Sequence, residues 1–188
     1  MKEQFAVFFD ISDLRQFVDE ELFSQKNRDN RYEVRIVDKI TEDLSVKKNC
    51  LYHKGYTYRQ KDSHIIFKNN EIDGWINLVR TTAFENNLRA AFIYYDNESK
   101  YKGYKISYFY EGSNERMIYC IQDASWKFFC KGQQQWFEEK DTYSEIRTSA
   151  KFNLDKLKRF CFNMRINIEE TDFFKPCSEI YYSARTVK

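Results

Sequence analysis

Five side chains have the type and spacing to do chemistry: His53, His64, Asp123, Glu138 and Lys140. The chain has two histidines, and both fall in one expected hairpin, where they could face one another. A facing imidazole pair can act as general acid and general base near neutral pH. Asp123, followed by Glu138 and Lys140, has the order of the D…ExK constellation of metal-dependent nucleases. There, two carboxylates hold Mg²⁺ and the lysine positions the attacking water. If 136–140 is a strand, Glu138 and Lys140 share one of its faces. Coincidence weighs against both patterns, because 32% of the chain is charged and Asp123 reads as a turn residue.

Other catalytic signatures are missing from the sequence. With five glycines and neither GxGxxG nor GxxxxGK[ST], no backbone cradle for phosphate is expected. GxSxG and HExxH are absent as well. Cys50, Cys120, Cys130, Cys161 and Cys177 form no close pair, so neither a zinc site nor a redox dithiol is expected. Cys50 precedes His53 by three residues, but nothing marks that thiol as activated. The five read as reduced and mostly buried thiols, which implies a reducing compartment. No cofactor is expected.

Binding chemistry is better represented. Residues 88–140 form a ladder of short aromatic segments: LRAAFIYY, YKISYFYE, RMIYCIQ, SWKFFCK and QWFEEK. Turn formers separate them, which is the pattern of an antiparallel meander. Side chains alternate across a sheet, so these aromatics cannot all face one core. Trp126, Trp136, Tyr108 and Tyr110, with Arg116 and Lys127 among them, are the expected binding residues. Interleaved aromatic and basic side chains resemble a stacking platform for single-stranded nucleic acid. They equally resemble the Tyr, Trp and Arg anchors of a protein interface.

The elements that must position these residues follow from periodicity. QFAVFF (4–9) reads as a buried strand, and Ile11, Leu14, Phe17, Val18 and Leu22 mark a helix over 12–25. RYEVRIVDKI (31–40) alternates as a strand, while 51–60 and 63–68 form a hairpin. Ile72, Trp75, Ile76, Val79 and Ala83 share a helical face. Beyond Lys140, TYSEIRTS could add another strand. Asn153 then caps a helix whose buried stripe is Leu154, Leu157, Phe160, Cys161 and Met164, with Phe152 stapled onto Leu157 and Lys156 on the outer face. SEIYYSA (178–184) reads as a last strand.

Together these predict one α+β domain over 1–188. Its expected core is a largely antiparallel sheet of six to nine strands, the meander central, with two or three helices packed on one face. Mean hydropathy is low, at −0.76, yet 18% aromatic content belongs to a folded chain rather than a disordered one. Lys plus Arg (31) nearly balances Asp plus Glu (29), so no global field steers the protein to DNA or an anionic membrane. The N-terminal apolar run is too short for a signal peptide or a span, and no run approaches about 18 apolar residues.

The functional expectation is a non-enzymatic cytosolic protein-interaction module of the inhibitor, immunity or accessory type. Usage rich in Lys, Asn, Ile, Tyr and Phe, with one Pro, fits an AT-rich phage or mobile-element source. Its partner would be a protein, a second copy of the chain included, and not a membrane. The alternatives are a single-stranded nucleic-acid binder and a metal-dependent nuclease.

Overall fold

The computed structural model describes residues 2–13, 17, 32–37, 52–59, 64–69, 76–98, 100, 102–170 and 178–184. For residues 2, 32–37, 52–59, 67–69 and 178–184 it is described at the level of the backbone. β1 (Lys2–Phe8) shows how the molecule is built. Phe5, Ala6, Val7 and Phe8 are all buried, although consecutive residues point to opposite faces. A strand buried on both faces must lie inside a sheet that is covered above and below.

That sheet has nine strands. The others are β2 (Tyr32–Val37), β3 (Tyr52–Arg59), β4 (Ile65–Asn69), β5 (Ala90–Asp96), β6 (Gly103–Tyr110), β7 (Asn114–Gln122), β8 (Trp126–Lys131) and β9 (Ser178–Ala184). Their order is β2-β9-β3-β4-β1-β5-β6-β7-β8, and each neighbouring pair is antiparallel. Strands β5 to β8 are the expected meander, but they form one end of the sheet, and β1 holds the central position expected of them. β9 inserts between β2 and β3, with Ile180 opposite both Ile36 and Gly55.

The helices are α1 (Ile76–Glu85), α2 (Thr148–Lys151) and α3 (Leu154–Asn163). The α+β class and the antiparallel meander stand, but the helices are not gathered on one face. Ala6 and Phe8 of β1 join Ala90, Phe92 and Phe109 beneath Val79 and Ala83 of α1. Phe5, Val7 and Phe9 join Ile93, Ile106, Tyr108 and Ile118 beneath Leu157, Phe160 and Cys161 of α3. Each helix has one apolar stripe, and the central strands carry large apolar side chains at both parities, so both faces need a cover.

α3 begins as its sequence requires. The Asn153 side chain accepts a hydrogen bond from the Lys156 backbone N–H at 3.0 Å. Phe152 is buried with Leu157, and its ring lies 5.7 Å from that of Phe160. Two expected strands are absent. Residues 135–140 and 142–147 form a turn-rich segment that returns across the sheet, leading into α2. The expected 12–25 helix lies largely outside the described residues. Within it, Phe17 is buried against Phe8, and its N–H bonds the Asp13 carbonyl at 3.0 Å.

Candidate interaction surface

The two faces of the meander have different fates at the β8 end. α1 packs chiefly on β1, β5 and β6. Its border is marked by Arg80, which donates to Glu115 of β7 at 3.3 Å and lies over the Phe109 ring. Beyond it, among the described residues, no helix or strand packs extensively on this face of β7 and β8, and Ile121, Lys127, Phe129 and Lys131 are exposed there.

Register fixes what that face displays. Lys105, Tyr119 and Phe129 stand opposite one another across β6, β7 and β8. On one side of this row lie Gly103, Ile121 and Lys127; on the other, Ser107, Met117 and Lys131. The Tyr119 and Phe129 rings stack with centroids 5.1 Å apart and planes 22° from parallel. Ile121 is 38% exposed and Phe129 40% exposed. Three lysines surround this apolar centre. Burial lowers the pKa of Lys105, against the opposing pull of Glu115, and its Nζ lies over the Phe92 ring. Lys127 and Lys131 are exposed, Lys127 in a surface pair with Asp123 at 3.2 Å.

The opposite face is closed. Arg116 of β7 donates from Nε and Nη2 to the two oxygens of Glu138, at 2.9 and 2.7 Å. Glu138 also accepts from the Gln135 N–H at 2.8 Å and from the Tyr143 hydroxyl. Arg116 Nη1 donates to the Gly132 carbonyl at 2.9 Å. Burial alone would lower the pKa of Arg116, but the Glu138 carboxylate more than offsets it and the net direction is up. Tyr143 is pushed up by burial and then by Glu138.

Of the expected binding residues, four lie on this closed face. Tyr108 and Arg116 are buried, Tyr110 stacks on Tyr108 at 5.5 Å, and Trp126 stacks on Tyr104 at 6.2 Å with rings nearly parallel. Trp136 sits on the returning segment with its indole 59% exposed, edge-on to buried Phe137. Lys127 alone among the six stands on the open face.

The candidate catalytic residues do not converge. Glu138 is committed to Arg116, while Asp123 stands in the β7–β8 turn, seven positions along β7 from Arg116 and so roughly 20 Å away. Glu138 and Lys140 share no strand face, because 138–140 is a turn. The histidines are separated by the hairpin register. Gly55 pairs with Asn69 and Arg59 with Ile65, so His53 and His64 lie at opposite ends, again roughly 20 Å apart. His64 is buried edge-on against Phe9 at 4.9 Å, and the side chain of His53 lies outside the described residues. Among the described residues no three His, Cys, Asp or Glu side chains group to hold a metal, and no helix is long and apolar enough to cross a membrane. Of the thiols, read from the sequence as mostly buried, Cys120 and Cys161 are buried and Cys130 is exposed; Cys50 and Cys177 lie outside the described residues.

Sequence reasoning picked Lys127 and found the ladder, but not Ile121 and Phe129. The available signal was strand parity. Tyr119, Ile121, Lys127, Phe129 and Lys131 share one face by alternation, whereas Trp126 and Lys127 cannot. Comparison of the chain with protein-family models, curated proteins and solved structures returns no match.

Proposed function

We propose that the protein is a non-enzymatic interaction module that grips a protein partner through the open face of β7 and β8. One observation carries this reading: an apolar centre of exposed Ile121 and Phe129 beside half-buried Tyr119, ringed by Lys105, Lys127 and Lys131. Apolar centre and charged rim are the anatomy of a protein interface, and monomeric proteins seldom leave such clusters open without a use. Inhibitor, immunity and accessory proteins act in this way, by occupying a partner rather than transforming it. Free thiols at Cys120 and Cys161 fit a reducing, cytosolic setting.

The geometry favours protein over single-stranded nucleic acid. A base platform needs ring faces turned outward, but Tyr119 and Phe129 each spend one face on the other. Ile121 and Met117, which complete the apolar centre, offer no π surface to a base.

The test is affinity capture from a native host lysate with the wild-type protein and an Ile121→Asp/Phe129→Asp variant, alongside anisotropy of labelled oligonucleotides. A partner retained by the wild type and lost by the folded variant is expected. Salt-sensitive oligonucleotide binding that the variant abolishes, with no protein partner, would replace this reading with the nucleic-acid one.

A further inference from the structure

Resting on that reading, we infer that the partner contributes an extended acidic segment, which adds to the outer edge of β8 as a further strand. β8 ends the sheet, and among the described residues no strand pairs with its outer edge. Lys127, Phe129, Cys130 and Lys131 are all exposed. An unpaired edge offers N–H and C=O groups at alternate residues, which an extended peptide can satisfy while its side chains supply specificity.

The chemistry of the added strand follows from spacing. On the open face β8 presents Lys127, Phe129 and Lys131 at alternate positions, so cation, ring and cation meet a neighbour at matching alternate positions. The complementary segment has carboxylates flanking an apolar or aromatic residue, each two positions away. Glu115, an acid on this face of β7, is already held by Arg80, and the Asp123 carboxylate meets Lys127 in a solvent-exposed pair worth little. An incoming carboxylate therefore meets positive charge.

A second copy of the chain does not fit as well. Antiparallel self-pairing centred on Phe129 would set Lys127 of one copy opposite Lys131 of the other, twice over. Like charges directly across a ladder are destabilising, and edge lysines are a common guard against self-association.

The experiment titrates the full-length protein with an eleven-residue peptide containing Glu-Thr-Phe-Thr-Glu at its centre. Two further peptides carry backbone N-methyl groups on alternate residues, one on each phase. Binding is expected for the parent peptide and to weaken by about tenfold or more when one phase is methylated, with the other phase tolerated, because only one edge of the added strand bonds β8. Lys127→Glu/Lys131→Glu should lose the acidic peptide and gain its lysine counterpart. Equal tolerance of both methylated phases, or no binding of the parent peptide, overturns strand addition. If the lysate partner is still lost on Ile121→Asp/Phe129→Asp in that case, the interaction surface survives and this inference alone falls; if no lysate partner appears either, both fall.

Discussion

Arg116 and Glu138 form a bidentate ion pair with side chains 5% and 0% exposed, joining β7 to a turn 22 residues later. The guanidinium lies 5.7 Å from the Tyr143 ring, and Tyr143 in turn donates to Glu138. This cluster fastens the 133–147 segment over the closed face of the meander. It explains why the surviving candidate surface is on the other face.

Removing one member of that pair leaves a buried charge without its partner. Glu138→Ala should cost about 3–5 kcal/mol, whereas Arg116→Met/Glu138→Leu together should cost much less. Chemical denaturation of Arg116→Met, Glu138→Leu and the double variant, with Glu138→Ala alongside, reads the difference. Additive losses would show that the pair does not act as a unit.

Lys156 was expected on the outer face of α3 and is instead buried, its ammonium donating to the carbonyls of Thr142 (2.6 Å), Ala150 (2.7 Å) and Lys151 (3.3 Å). Thr142 lies within the returning segment and Ala150 and Lys151 at the end of α2, and one ammonium bonds all three carbonyls. Lys156→Met should destabilise by about 2–3 kcal/mol by leaving carbonyls unpaired. Lys156→Arg should not restore the loss, because a planar fork cannot reproduce the three donor directions. Thermal unfolding of both variants is the check.

Gly132 ends β8 at φ +88°, and a Cβ there would stand 2.2 Å from the Glu115 carbonyl oxygen. Gly132→Ala therefore meets strain and backbone collision together and should cost at least about 2 kcal/mol. Gly112, at φ +73° with nothing near its Cβ position, isolates the strain. Gly112→Ala should cost about 1 kcal/mol. Equal losses at the two sites would show that the Glu115 contact is soft.

Stability should fall in alkali. Burial pushes the Cys161 and Cys120 thiols above their ordinary 9.0, and Tyr95 and Tyr143 above 10.0. A group whose pKa is raised by folding keeps its proton in the folded state after the unfolded chain has lost it. Its contribution is thus complete below the unfolded pKa and is lost as pH climbs toward the folded one. Lys105, lowered by burial, works in the opposite sense but is outnumbered. Melting temperatures should hold from neutral pH to about 9 and then decline. Cys161→Ala, though less stable at pH 7, should show a shallower decline.

Phe129 and Ile121 are exposed, Phe129 stacked on Tyr119 of β7 and Ile121 lying over Gly103 of β6. Phe129→Asp and Ile121→Asp should each shift stability by no more than about 0.5–1 kcal/mol while abolishing partner capture. Circular dichroism and capture run on the same preparation separate the two effects. A collapsed spectrum would mean the patch is structural.

Local chemistry alone determined much of this protein. Short apolar and aromatic runs bounded by turn formers located β1, the β3–β4 hairpin, the four strands of the meander and β9, period-two alternation located β2, and period 3.6 with an asparagine cap located α3. Such signals survive because each is written within a single element. QWFEEK and TYSEIRTS misled for the same reason. Their aromatic and β-branched residues suit a strand, but Arg116 and Lys156, distant in sequence, hold that stretch as a turn-rich cover.

Only the tertiary structure decided which face of the meander stays open. Both parities of β5 and β6 are apolar, so neither face is marked as the outer one; α1 packs on β1, β5 and β6 and touches β7 through Arg80, while on the other face the 133–147 segment and α2 continue over β7 and β8. Tyr108, Tyr110, Arg116 and Trp126 were buried or partly buried by that choice, and Tyr119, Ile121 and Phe129 were left beside Lys127 on the exposed side. A helix's reach across a sheet depends on packing between remote segments, and no local residue pattern records it.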